Sequence, residues 1–245
     1  MLEGLNIAAA GMAAQQQKLD AVSNDLANAN TTGYKHDRVG FRDLVYTQAQ
    51  RSSAQGVRTG AGTAAVDIGR GFSQGVLRQT GEPLDVALEG EGFLQVKLPD
   101  GRTGLTRDGD LRRDAQGRLT TSTGALLQPT VTIPVDVPLS RVSIATDGTV
   151  SAAGRGYGRL SVVSVRNPQG LQSVGDNAFV ATTASGRTTA APAATRITQG
   201  ALESSNVDVS EAMVSMIEAQ RSFQLASKAI QTADQMMEIA NGVKR

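Results

Sequence analysis

The chain has no cysteine in its 245 residues. Disulfides, thiolate metal sites and cysteine nucleophiles are therefore excluded, and no redox compartment follows, because a chain without thiols is indifferent to it. Tryptophan is absent and aromatics make up 3% of the sequence, so the core must be built from Val, Leu, Ile and Ala. Histidine occurs once, at His36. With no cysteine, one histidine and no paired acids in a strand context, the ingredients of a hydrolase are missing. Charge is nearly balanced, at net +1. Arg112 and Arg113 stand together, but no basic stripe is interleaved with aromatics, so nucleic acid is not an expected partner. Long hydrophobic runs are lacking too. The stretch from Ile7 to Ala14 is broken by Gly11 and falls far short of the ~20 residues that span a bilayer. Direct membrane insertion is not expected. Glu3 occupies the place of a positive n-region, so a cleaved signal peptide is not expected either.

What the chain does have begins at its N-terminus. Leu5, Met12, Leu19 and Leu26 fall one heptad apart, with Ala8, Val22 and Ala29 beside them. This spacing lays one apolar seam along a helix over residues 2–30, the pattern of a coiled-coil strand. The seam runs into Ser23-Asn24-Asp25-Leu26-Ala27-Asn28-Ala29-Asn30-Thr31-Thr32-Gly33-Tyr34-Lys35. Asparagines crowd its last turn, and Gly33 can adopt the left-handed geometry that stops a helix. Asn24, Asn28 and Asn30 read either as solvation of a helix end or as polar pairing that fixes register between neighbouring subunits.

A matching seam lies at the other end. Asp208 and Glu211 form a capping signal, and Met213, Met216, Phe223, Ile230 and Met237 mark one face of a helix over 209–240, with Ala226 and Ala233 alongside. Asn241-Gly242 should end it. Each helix would be about 40–50 Å long. One amphipathic helix cannot bury its seam alone, and the two ends supply each other. A pair of this size is marginal in isolation, so both ends are expected to be largely disordered until assembly orders them.

Between the ends the pattern changes. Residues 36–74 contain a Gln-, Ser-, Ala- and Gly-rich run from Gln48 to Gly62, read as an extended or mobile linker. From Gly75 to about Gly200, short apolar runs recur: Val76–Leu77, Leu84–Leu88, Phe93–Leu98, Gly104–Arg107, Arg118–Thr121, Val142–Ala145, Thr149–Ser151, Leu160–Val165 and Ala178–Ala181. Pro99-Asp100-Gly101, Asp108-Gly109, Gln116-Gly117 and Asp147-Gly148 separate them as turn signals, and Ala184–Thr195 reads as a surface loop. The expected fold class is α+β: paired N- and C-terminal coiled-coil helices (1–35 and 204–245) with an inserted antiparallel β-rich domain (75–203).

Three local patterns invite chemistry and lack its context. Gly71-Phe72-Ser73-Gln74-Gly75 matches a nucleophile elbow, but the one histidine precedes it. Asp108 and Asp110 suggest a cation site, but Leu111-Arg112 breaks the calcium-loop pattern, leaving a β-turn with a local ion pair. Asn30-Thr31-Thr32 is a formal glycosylation sequon that coincides with the helix stop. The methionines Met213, Met216, Met236 and Met237 suit a helix–helix interface better than a small-molecule site. No cofactor, catalytic residue or metal ligand is expected.

Both ends resemble the flagellar axial proteins, the rod and hook family of the bacterial flagellum. The resemblance rests on Ser23 to Lys35; on Ser205-Asn206-Val207-Asp208 with Met213, Met216-Ile217, Gln220-Arg221 and Ser227 to Asp234; and on Gln79 to Leu88, Gly92-Phe93 and Thr106-Arg107-Asp108-Gly109. It implies a structural, non-enzymatic subunit, closest to distal-rod members, with proximal-rod or hook-type members as the alternative. It further implies export through the flagellar type III apparatus and polymerisation, with other rod and hook subunits as neighbours, into a hollow shaft in the cell envelope. The assembly interface would comprise Leu5, Met12, Leu19, Leu26, Asn24, Asn28, Asn30, Met213, Met216, Phe223, Ile230 and Met237. A freestanding adhesin with a coiled-coil stalk is the reading from another class; it needs continuous trimer-type heptads, whereas these seams lie at opposite ends.

Overall fold

The computed structural model describes residues 2–44, 47–48 and 58–242. The chain divides into two compact units. One holds Met1–Ala27, Asp37–Ile68 and Asp208–Arg245; the other holds Asn28–His36 and Gly69–Val207. This differs from the expected division, because part of the presumed linker belongs with the helices and the short segment 28–36 belongs with the β-rich unit.

The first unit contains two helices, α1 (Leu2–Ala27) and α2 (Val209–Gly242), which lie against each other. Ala14 on α1 and Ala219 on α2 are buried; the small Ala219 side chain allows close approach of the helices. Leu5, Met12, Leu19 and Leu26 are half-buried on α1, as are Met216, Ile230 and Met237 on α2. Two expected seam positions are exposed. Met213 is 51% exposed and Phe223, at the margin of the seam, 36%. The face of α2 turned to α1 runs through Ala212, Met216, Ala219, Ala226, Ile230, Ala233 and Met237. Its centre is Ala219, which leaves Met213 about a third of a turn away. Bulk had marked the seam in the sequence, whereas alanines share it with Met216, Ile230 and Met237 and supply its buried centre. At the start of α2, Asp208 Oδ1 accepts the backbone N–H groups of Ser210 at 2.8 Å and Glu211 at 3.2 Å, satisfying two otherwise free donors.

Asp37–Asp43 pairs with Thr63–Arg70 in a two-stranded ribbon, which belongs to this first unit as far as Ile68, where only an extended linker was expected. Gly40 leaves room for the Ile68 side chain, and Gly62, at φ +96°, lies against Ile7 and Ala10 of α1. Most of the Gln48–Gly62 run, read as mobile, lies outside the described residues.

In the β-rich unit, Phe93–Lys97 pairs antiparallel with Thr103–Thr106, Leu126–Leu127 and Val162–Val165. The principal core is aliphatic, as the scarcity of aromatics required. Leu84, Val86, Leu88, Leu94, Val96, Leu119, Leu127, Val131 and Ile133 belong to it, each such side chain contributing about 1.5–3 kcal/mol of burial. Thr188–Ala190, inside the segment read as a loop, is instead a strand paired with Val162–Val165. All three of its residues are exposed, so it has no apolar face to betray it. Asp108-Gly109 is not a hairpin turn. A Cβ on Gly109 would collide with the Val86 carbonyl oxygen, and the Gly109 oxygen accepts the Val86 N–H at 3.0 Å. That glycine permits a backbone crossing.

Candidate functional site: the junction of the two chain ends

Residues 28–36 follow directly on α1, and residues 201–207 lead directly into α2. Inside the β-rich unit these two segments run side by side. Gly33 N–H donates to the Glu203 carbonyl at 2.8 Å, and Asn206 N–H to that of Tyr34 at 3.4 Å. The Asn206 side chain completes the seam. Its Oδ1 accepts the His36 N–H at 2.9 Å, while Nδ2 donates to Gly71 O at 2.7 Å and to Ser73 O and Oγ at 3.1 and 3.0 Å. On the far side, Ala201–Glu203 pairs antiparallel with Leu77–Gln79.

A buried ionic cluster holds this arrangement. Lys35 Nζ lies 2.5 Å from Glu203 Oε1, and Arg107 Nη1 lies 3.0 Å from Glu203 Oε2. The Lys35 and Glu203 side chains have no exposure at all. Lys35 also donates to Ser73 O at 2.8 Å, Gly75 N–H to Glu203 Oε1 at 2.8 Å, and Arg107 Nη2 to Gly90 O at 2.8 Å. Burial lowers the Lys35 pKa, the Glu203 carboxylate acts in the opposite direction, and Arg107 adds a smaller lowering. Two cations thus share one carboxylate, in surroundings where removing that carboxylate leaves buried charge uncompensated. Aromatics gather around the cluster despite their rarity. Phe72, Phe93 and Phe179 meet edge-to-face at centroid distances of 5.3–6.3 Å, and the Arg107 guanidinium lies 5.5 Å from the Phe93 ring centroid.

The glycine of the first motif acquires its reason here. Gly33 has φ +68°, and a Cβ on it would stand 2.7 Å from the Arg107 carbonyl carbon and the Asp108 nitrogen. It does not stop α1, which ends at Ala27, six residues earlier. Gly33 instead lets residues 33–36 pass against Arg107-Asp108.

The other singled-out residues take structural places. Ser73 Oγ accepts from Asn206 Nδ2, while the His36 ring packs on Gly71, where a Cβ would clash with it. Asp108 is buried. Its Oδ1 accepts the Asp110 N–H and its Oδ2 the Ser122 hydroxyl, both at 3.1 Å, and burial raises its pKa. Asp110 forms an ion pair with Arg112 at 3.4 Å. Among the described residues, no group of three or more His, Asp or Glu side chains is placed to hold a metal ion. Asn28 Oδ1 accepts the Thr31 hydroxyl at 3.1 Å, and Asn24 and Asn30 are exposed. The reading from spacing alone missed Lys35, Arg107, Glu203 and Asn206 as a set. Three of them stand in the motifs quoted above, but their partners are up to 170 residues away.

Three family models match the chain. Residues 5–35 match the flagella basal body rod protein family, 87–152 the D1 domain of flagellar hook proteins FlgE/F/G, and 198–243 the C-terminal region of flagellar basal body rod FlgEFG proteins. The flagellar basal-body rod protein FlgG of Borreliella burgdorferi is 38% identical over 264 residues, covering 100% of both chains. The chain belongs to the flagellar basal-body rod protein family. FlgG of Caulobacter vibrioides is 36% identical, covering 99% of this rod protein and 100% of its own length. The flagellar hook-basal body complex protein FlhP of Bacillus subtilis is 34% identical, covering 100% of both. As a member, this rod protein is a structural subunit of the basal body, of the distal-rod type, and the family is not an enzyme class. Membership also places it among the other rod and hook subunits of the basal body. No described helix is long and apolar enough to cross a membrane. Each matched segment supplies one charge to the buried cluster: Lys35 from the first, Arg107 from the second and Glu203 from the third.

Proposed function

We infer that this rod protein polymerises through its terminal helices, paired as a coiled coil, into a hollow shaft that transmits torque. The observation that carries this reading is a second apolar face on α2. After α1 has covered one face, Met213, Val214, Ile217, Leu225, Met236 and Ile239 remain exposed, Leu225 at 68%. These residues lie together on the side of the helix away from Ala219. Rows of this size on a soluble surface mark an interaction site, and further helices of the same kind are their natural cover in a self-assembling family. Leu5, Met12, Leu19 and Leu26 with Met216, Ile230 and Met237 bury the inner seam, while Met213 and Phe223 reach outward to neighbours. Asn24, Asn28 and Asn30 fix register between subunits. Export proceeds through the flagellar type III apparatus, and other rod and hook subunits continue the stack.

Leu19→Asp and Phe223→Asp test this by placing a charge in the inner seam and at its outer margin. Electron microscopy of concentrated protein should show tubes or rings for the parent and discrete particles for both variants, with the β signal in circular dichroism unchanged. Normal tubes from both variants refute the reading. In dilute monomer the helical signal should be weak and rise on assembly, because ordering is completed by neighbours; a strongly helical monomer refutes that part.

A further inference from the structure

The β-rich unit carries a groove and a projecting turn that share no residue. The groove encloses about 880 Å³ and is lined by Val162, Ala191 and Pro192, with Leu160 and Ile197 beneath and the arginines Arg159 and Arg196 at its walls. Arg159 Nε donates to the Asp147 carbonyl at 2.8 Å. Its terminal nitrogens and the whole Arg196 guanidinium enter no hydrogen bond among the described residues. Of the neighbouring acids, Asp147 also lines the groove and interacts with the Arg159 charge without a hydrogen bond from its terminal nitrogens; both acids have hydrogen-bond donors of their own. The Asp147 carboxylate accepts the Thr149 N–H at 3.0 Å and its hydroxyl at 2.8 Å. Glu89, opposite Arg196 in the strand pairing, accepts the Thr198 hydroxyl at 2.9 Å. The groove is therefore apolar below and offers Arg159 and Arg196 N–H groups that donate to no acceptor among the described residues, two cations against the single Asp147 carboxylate of its lining.

The turn has the complementary chemistry. Val137 N–H donates to the Pro134 carbonyl at 3.1 Å, closing a β-turn with Val135 and Asp136 at its tip. Arg113 Nη1 clamps both ends, donating to Pro134 O at 3.0 Å and Val137 O at 2.8 Å. Val135 is 59% exposed, and Asp136 is exposed and forms no ion pair among the described residues. A turn held in this way loses little freedom when it docks.

We propose that the Val135–Asp136 turn of one copy seats in the Arg159–Arg196 groove of the next copy, Val135 against the apolar lining and the Asp136 carboxylate accepting from the two guanidiniums. The proposal deepens the polymer reading and rests on it. Turn and groove are different surfaces, so the contact is head-to-tail, and a contact of that kind propagates into rings or open helices instead of closing as a two-fold dimer. The ion pair forms in a partly desolvated groove, where it is stronger than at an open surface.

The lack of native cysteine makes the test clean. Rods isolated from cells carrying Val135→Cys with Ala193→Cys, the latter in the groove lining, as the sole copy are oxidised in air with a copper catalyst and run on a non-reducing gel. A ladder at multiples of the subunit mass is expected, and none from either single variant. In parallel, Asp136→Arg should lower incorporation into rods about tenfold or more; Arg159→Asp with Arg196→Asp should do the same, and mixing the two variants should restore incorporation. Assembled rods without a ladder, a cross-link to a protein of another mass, or undiminished incorporation of Asp136→Arg overturns the pairing and leaves helix-driven polymerisation standing. Failure of the unsubstituted protein to form tubes strikes the polymer reading instead.

Discussion

Replacing Glu203 by Gln probes the buried cluster with almost no change of shape. In the parent, one carboxylate oxygen accepts from Lys35 and the Gly75 N–H, and the other from Arg107. An amide accepts at one end only. Its NH₂ group must face either Arg107 or the Lys35–Gly75 pair, donor against donor, and the two cations lose their counter-charge. Breaking a buried ion pair from one side costs about 3–5 kcal/mol. Lys35 sets the ceiling, because burial already pushes its pKa down and it can shed its proton when the carboxylate is gone. For a chain of this size a change of 1 kcal/mol moves the midpoint by ~2–4 °C. The β-rich unit should therefore melt roughly 6–20 °C lower, as read by circular dichroism or by urea titration of the monomer. Lys35→Met is the control. It keeps the Glu203–Arg107 pair, and the Ser73 carbonyl still has Asn206 Nδ2 as a donor, so its cost should stay below about 2 kcal/mol. A loss under ~1 kcal/mol for Glu203→Gln, the value of an exposed pair, would refute the argument. So would a Lys35→Met variant less stable than Glu203→Gln.

The remaining predictions concern the same unit. Gly33→Ala must hold a left-handed backbone and displace Arg107-Asp108, and should cost about 2–4 kcal/mol by urea titration; a neutral result would mean that the crossing at Gly33 can relax. The lowered pKa of Lys35 means that the unfolded chain binds more protons between the folded value and 10.5, so stability should rise with pH across that window. Lys35→Met should flatten this alkaline rise, as measured by unfolding at a series of pH values. Asp108 has the opposite sign. Its pKa is raised by burial from 3.8, so the folded state binds more protons above that value, and the stabilisation present at low pH is lost as pH rises through the folded pKa. Asp108→Asn should accordingly gain on the parent as pH increases from about 4, and a constant difference between the two would contradict it.

The sequence by itself determined everything that depends on local order. The heptads of Leu5, Met12, Leu19 and Leu26 dictated a helix because 3.6-residue periodicity is written in neighbouring positions. Asp208 announced the start of α2, since a cap acts within one turn. Phe93–Leu98 and Leu160–Val165 declared strands through their own apolar content, and scarce aromatics dictated an aliphatic core. The motifs at Ser23–Lys35, Thr106–Gly109 and Ser205–Asp208 also carried the family resemblance. Tertiary structure alone decided what joins those motifs. Which face of α2 meets α1 depends on how closely the small residues around Ala219 let the helices approach, a property that bulk along the sequence hides. Thr188–Ala190 became a strand because a partner edge was available to it. Gly33 and Gly109 looked like local punctuation, but they are places where distant backbone passes too close for a side chain. Lys35, Arg107 and Glu203 could not be recognised as one cluster from spacing, because a charge declares its partner only when burial takes away the water that would otherwise serve.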